Sequence, residues 1–244
     1  MADMERAGDP QEFIDEAGFI CRDGTNDAPI IAAITLADEY RLKGRVLRGW
    51  AIDIGAHIGG VALTLARQNP DLRVIAVEAV PENYDLLVRN IAQMGMGKQV
   101  HALHAWADAP GTLTGSCYYG YRGGDVEADT YVSQHRFIGN TWYAGRDPAL
   151  TVDVEAVSLD AILERFGIDE VELLKIDCEG CEWTFLDTPA VAKVKAIVGE
   201  YHSGVGVVLY PDDTQAKLHD LLDATHVVTC WADVQHGDFD AVRR

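Results

Sequence analysis

The chain has 244 residues, a formal net charge of -19, 48% hydrophobic and 24% charged residues, which suits one soluble domain of α/β size over residues 1–244. So acidic a surface repels phosphate backbones and anionic lipids, which argues against free nucleic acid or a membrane as partner. No apolar run approaches the ~18 residues of a membrane helix, and the polar, acidic start MADMERAGDPQEF does not read as a secretory signal, so the expected compartment is the cytoplasm.

Residues 1–48 read as a helical arm ahead of the sheet. Gln11 to Ala17 is expected as a short helix, Gly24 to Pro29 as a turn, and Ile30 to Leu42 as an amphipathic helix carrying Ile31, Ile34, Leu36 and Tyr40. Asn26, Asp27 and Tyr40 are candidates to line a pocket, with packing against the sheet as their other role. The stretch from Ala51 to Asn90 organises the rest. A short apolar strand (about Gly49 to Ile54) leads into the turn Gly55-Ala56-His57-Ile58-Gly59-Gly60. A helix follows to about Gln68, then a strand from Val74 that ends in Glu78, and Pro81 opens another helix with Tyr84, Leu87, Val88 and Ile91 on one face. Strand, glycine turn, helix, strand with a terminal acid is half of a nucleotide-binding doubly wound sheet. Gly55 and Gly59 let the backbone turn sharply beside a ligand. His57 replaces the middle glycine of G-x-G-x-x-G, and no Gly-Lys-Ser/Thr follows, so neither a dinucleotide fingerprint nor a P-loop fits. The D-x-G-x-x-x-G with its downstream acid resembles instead the S-adenosylmethionine (SAM) site of Rossmann-like methyltransferases. That implies a cofactor set of Asp53, Gly55, His57, Gly59, Glu78 (toward the ribose hydroxyls), Ala79 and Asn83.

A third strand, Gln99 to about Ala105, runs into the turn Trp106 to Gly111, which the SAM-site resemblance places beside the adenine, with Asp108 toward its amino group and Trp106 or Ala107 against the ring, Trp106 as core being the other reading. Residues 113–150 lose all periodicity and gain glycines and aromatics. A strand or hairpin is expected near Gly115 to Tyr121, and the whole is read as an inserted acceptor-binding lid, or a surface loop or dimer contact, a homodimer being open. Its candidate acceptor contacts are Tyr119, Arg122, His135 and Trp142. Val152 to Val157 reads as a strand, and Ser158 as the cap of a helix closed by Gly167. Val171 to Ile176 is a buried strand delivering Asp177. After a short helix broken by Pro189, the strand starting at Ala196 carries Glu200 and His202, two apart and so on one face. Asp212 to Ala224 is helical, and two final strands are expected as an antiparallel pair. The five cysteines do not read as a disulfide framework. Cys178 and Cys181 are taken as small side chains filling tight positions, with a redox pair as the alternative.

Taken together, IDIGAHIGG, VEAVPENYDLLVRNI, VSLDAIL, LLKIDCEGCEW and IVGEYHS resemble the FkbM family of SAM-dependent methyltransferases from about Trp50 to Ser203. His57 stands where asparagine is common, and Cys178 and Cys181 replace aliphatic or small residues. The resemblance implies a Rossmann-like, doubly wound, mostly parallel sheet and O-methylation of a small-molecule hydroxyl, as on a sugar, polyketide or other secondary metabolite. A hydroxyl needs a base or a metal before it attacks a methyl group. Asp177, Glu179, Glu200 and His202 supply either. His202 or Asp177 is the expected base, Glu179 and Glu182 position the acceptor, and Asp177 also adjoins the donor. The main reading holds no metal; the variant puts Mg, Mn or Fe(II) on Asp177, Glu200 and His202. The alternatives are N-methylation of a peptide or amine and a non-catalytic SAM-binding module.

Overall fold

The computed structural model describes residues 11–112, 114–118, 151–178, 180–202, 214–232 and 236–244. Its centre is a seven-stranded sheet. In chain order the strands are β3 (Gly49–Ile54), β4 (Leu72–Glu78), β5 (Val100–His104), β9 (Leu173–Ile176), β10 (Ala196–His202), β11 (His226–Ala232) and β12 (His236–Arg243). Across the sheet they run β11-β12-β10-β9-β3-β4-β5, all parallel except β12, which lies antiparallel between β10 and β11. The chain leaves β3 for β4 on one side, and after β5 it crosses back to β9 on the other side of β3. The crevice above those strand ends is therefore the switch point where ligands bind in such sheets.

Helices α2 (Gly60–Gln68), α3 (Pro81–Gln93), α4 (Leu159–Phe166) and α6 (Thr214–Leu222) join the strands. The α4 helix starts as its sequence dictates, with Ser158 Oγ accepting the Ala161 N–H at 3.2 Å, and ends at Gly167 in the left-handed region. Strand alternation sends Ile52, Ile54, Leu174 and Ile176 into one apolar layer and Ala51, Val74, Leu173 and Val198 into the other. By the same alternation Asp53, Lys175, Asp177, Glu200 and His202 fall on the second face, under the N-terminal arm. That periodicity gathers the chemistry.

The arm differs from expectation. Gln11 to Ala17 is not helical: β1 (Glu12–Ile14) and β2 (Ile20–Arg22) form a hairpin, with Phe13 opposite Cys21. Asp15 Oδ1 accepts the Phe19 N–H at 2.7 Å and Gly18 takes φ +94°, so the turn chemistry outweighs helix propensity there. Helix α1 (Asp27–Ala32) begins inside the expected turn, because Pro29 lies in a first turn where no N–H is needed. A π-helical turn, Ala33–Ala37, extends it, and Asp38 at φ +57° ends it before Leu42. The turn expected at Trp106 contains β6 (Trp106–Ala107), which pairs with β8 (Thr151–Val157); β8 also pairs with β7 (Thr114–Tyr118). The rest of the expected lid, including Tyr119, Arg122, His135 and Trp142, lies outside the described residues, as does Glu179. Among the described residues no helix is long and apolar enough to cross a membrane.

Candidate active site

At the switch point Gly55 follows β3 with φ +73°, and a Cβ there would sit 1.8 Å from the Asp177 carbonyl oxygen. No other residue allows the β3 and β9 ends to meet this closely. Beside this junction a pocket is lined by Ile54, Gly55, Val77, Glu78, Ala79, Ala105, Trp106, Ala107, Cys178 and Cys181. Glu78 Oε2 accepts the His57 N–H and Oε1 the Val80 N–H, both at 2.8 Å. These bonds hold a carboxylate at the pocket wall with lone pairs to spare, the acceptor geometry a ribose diol needs. The residues present therefore fit a nucleoside: an acid at the β4 end, a glycine cradle, and a small-residue wall beside Trp106.

Other members of the expected cofactor set sit elsewhere. Asp53 is fully buried and turned away from the pocket: Oδ2 accepts the Ala62 N–H at 3.0 Å and Oδ1 faces Lys175 Nζ at 3.4 Å. Direct contact with a cofactor is corrected to a supporting role, fixing the start of α2. Gly59 packs against Leu63 and Leu87. Asn83 is buried and accepts from Arg22 Nη2 at 2.7 Å. Asp108 Oδ1 caps the Ala109 N–H at 2.7 Å. His57 takes φ +52°, a conformation asparagine and histidine tolerate better than most residues, and its Nε2 lies 3.2 Å from Asp27 Oδ1. Burial alone would raise the Asp27 carboxyl, but its hydrogen bonds with Arg22 and His57 outweigh that and hold it well below the ordinary range. The hairpin and α1 are thus wired to the glycine turn.

Across the β9 end from the pocket lies a charged cluster. Asp177, Glu200 and His202 place ligand atoms within 4.8 Å of one another. His202 Nε2 is 3.7 Å from Asp177 Oδ1 and 3.5 Å from Glu200 Oε2, while its Nδ1 is bound by Glu182 Oε1. Glu182 opens α5 (Glu182–Phe185) and is fully buried, so the expectation that it touches the acceptor is corrected: it orients the imidazole. Trp183 Nε1 donates to the His202 carbonyl at 3.1 Å and fixes the strand end. From the arm, Tyr40 donates its hydroxyl to Asp177 Oδ2 at 2.7 Å. Burial, then Asp177, keep that phenol protonated, hence a donor. Lys175 is buried, donates to the Gly55 carbonyl at 2.9 Å and faces Asp53 and Asp177. Burial disfavours the ammonium, but the two carboxylates outweigh it and raise its pKa. Burial, Glu200, Asp177 and Asp238 together push the Glu39 carboxyl up to about 7, a sign of how much negative charge converges there. Sequence reasoning missed the Glu182–His202 pairing and Arg22, since nothing local marks contacts 20 and 61 residues apart. Cys178 and Cys181 are joined as a disulfide, which corrects their preferred reading as unlinked small side chains and agrees with the paired alternative.

This sheet order, with a glycine turn and an acid at the next strand end, defines a Rossmann-like methyltransferase. The chain belongs to the FkbM methyltransferase family: the methyltransferase FkbM domain matches residues 53–211. The methyltransferase sdnD of Sordaria araneosa is 30% identical over 146 residues, 54% of this chain and 56% of that protein. The AMB antimetabolite synthetase AmbE of Pseudomonas aeruginosa is 26% identical over 205 residues, 72% of this chain and 10% of that protein. The chain thus spans about half the length of the first relative and a tenth of the second. A precorrin-6y C5,15-methyltransferase from Geobacter metallireducens GS-15 aligns over 94% of this chain and 96% of its own, at 13% identity and a TM-score of 0.47.

Proposed function

We propose that the chain transfers a methyl group from SAM to a hydroxyl oxygen of a small molecule, with His202 as general base. The observation that carries this reading is the buried Glu182 carboxylate on His202 Nδ1, with Nε2 facing Asp177 and Glu200 at the strand ends. SAM, when bound, supplies an electrophilic methyl on a sulfonium. Glu78 and Gly55 would hold its nucleoside. Nε2 would take the acceptor's hydroxyl proton as the oxygen attacks in line with the departing sulfur. Glu182 fixes the tautomer and, with Asp177 and Glu200, stabilises the imidazolium that forms. Tyr40 and Lys175 hold Asp177 still.

The same cluster supports a second reading, a divalent Mg or Mn ion on Asp177, Glu200 and His202, where the carboxylate behind Nδ1 would serve as an outer partner. N-methylation of an amine is the remaining enzymatic reading, since a neutral amine needs no base. Incubation with methyl-labelled SAM and a panel of sugars, polyols and amines tests these. Label in hydroxyl acceptors, lost in His202→Asn, is the expected result. Label in amines alone, retained in His202→Asn, would overturn it.

A further inference from the structure

The disulfide stands between the two halves of the site. Cys178 and Cys181 both line the pocket beside Gly55 and Glu78, and each is 8% exposed. Asp177 immediately precedes the bridge and Glu182 immediately follows it, so the covalent link spans the two acids that flank His202. The loop is also pressed onto the glycine turn, where the position of a Gly55 Cβ is only 3.5 Å from Cys178 Cα. A change in this loop therefore reaches the pocket wall and the imidazole together.

We propose that Cys178 and Cys181 are a redox-active pair. Bridged, they hold the pocket wall and the Asp177–His202–Glu182 arrangement in the geometry described; reduced by a dithiol, they release both and weaken nucleoside binding. The ligand part of this proposal rests on the SAM reading of the pocket. Three physical arguments favour exchange over a permanent staple. A bridge across three residues closes a small loop and so removes little chain entropy. The C-x-x-C spacing puts the second thiol beside the first for the return reaction. Both cysteines line a pocket, the side from which an attacking thiolate would approach. In the reducing direction a dithiol's thiolate attacks one sulfur, the Cys178–Cys181 bond breaks, and a mixed disulfide forms. The reductant's second thiol then displaces the cysteine. Two electrons and two protons pass to the cysteine pair, and the reductant leaves as its own disulfide. As thiols the two sulfurs no longer share a bond and part to a non-bonded contact, and the pocket wall must absorb the change. By linkage, a nucleoside that prefers the bridged wall also protects the bridge.

The test uses the full chain equilibrated across graded oxidised-to-reduced dithiothreitol, with thiols alkylated and the 178–181 peptide weighed by mass spectrometry. Binding of SAH, the demethylated product, is measured by calorimetry at both ends, and the His202 ring ¹⁵N signals, assigned with His202→Asn, are followed without SAH. The expected results are one two-electron transition, a His202 signal that moves with it, and SAH binding weaker by about fivefold or more when reduced. The Cys178→Ser/Cys181→Ser variant should show the weaker affinity in either buffer. No bridged peptide at any ratio, a His202 signal indifferent to the bridge, or equal SAH affinity in both states would overturn the proposal. If SAH binds neither state while His202 follows the bridge, the redox pair stands and the cofactor reading of the pocket falls.

Discussion

Replacing Lys175 with methionine is the sharpest probe of how this site is held. The substitution keeps most of the stem and its packing and deletes the charge. The ammonium is buried on β9 opposite Asp53 on β3, 3.4 Å from Oδ1, and it donates to the carbonyls of Ile54 and Gly55 at 3.2 and 2.9 Å. Without it Asp53, fully buried, keeps only the Ala62 N–H as hydrogen-bond partner. Removing one member of a buried pair costs about 3–5 kcal/mol, most of it the penalty of the abandoned charge. At about 2–4 °C per kcal/mol for a chain of this size, the melting temperature should fall by roughly 6–20 °C. The sign with pH follows. Burial already raises the Asp53 carboxyl, and losing Lys175 raises it further. A raised folded-state pKa imposes its penalty above the unfolded value, so the deficit should be largest at pH 8 and shrink toward pH 5, where Asp53 can protonate in place. Thermal melts and urea titrations at both pH values measure it, and Asp53→Asn in the same chain should restore most of the loss. Lys175→Met within 1 kcal/mol of the parent at pH 8, or no rescue by Asp53→Asn, would refute the reasoning.

The remaining predictions concern ligands and pH. Glu78→Ala should weaken SAH binding about 10- to 100-fold by calorimetry, the worth of hydrogen bonds to a charged acceptor; unchanged affinity would dismiss the ribose contact. His202→Asn should lower kcat by about 10²–10⁴ while SAH affinity stays within a few-fold, and equal losses in both would point to a structural role. Chelator treatment should leave turnover intact, and a loss restored by Mg or Mn would promote the cation reading. Asp27→Asn should cost about 2–4 kcal/mol at pH 7. Because the folded Asp27 carboxyl is held low, its contribution is complete above the ordinary value near 4 and lost as pH falls below it. Chemical denaturation from pH 7 to pH 3 should show parent and variant converging, and a constant gap would refute the assignment.

The sheet was legible because its strands are apolar, periodic and punctuated. The expected Gly49 to Ile54 matches β3 residue for residue, and Glu78, Asp177, Glu200 and His202 stand at or just beyond strand ends, where alternation and parallel pairing placed them. What stayed hidden depends on partners far along the chain. Tyr40 meets Asp177 across 137 residues, and Arg22 meets Asn83 across 61. The motif points Glu182 toward an acceptor, and only the fold shows it buried on His202. The arm misled because Phe13 and Ile14 suit strand or helix alike, and a turn seeded by Asp15 and Gly18 decided between them.

The order of β12 and β10 carries a consequence for biogenesis. His202 rides on a strand whose outer neighbour, β12, is the last of the described strands to leave the ribosome, although it fills an interior lane of the sheet. Glu200 and His202 pair with Asp238 and His236, so this edge of β10 stays unzipped until those residues emerge. A nascent chain stalled before them would hold the β3-β4-β5 side of the sheet nearly complete and β10 open to solvent, the stage at which chaperones and mispairing would compete for it.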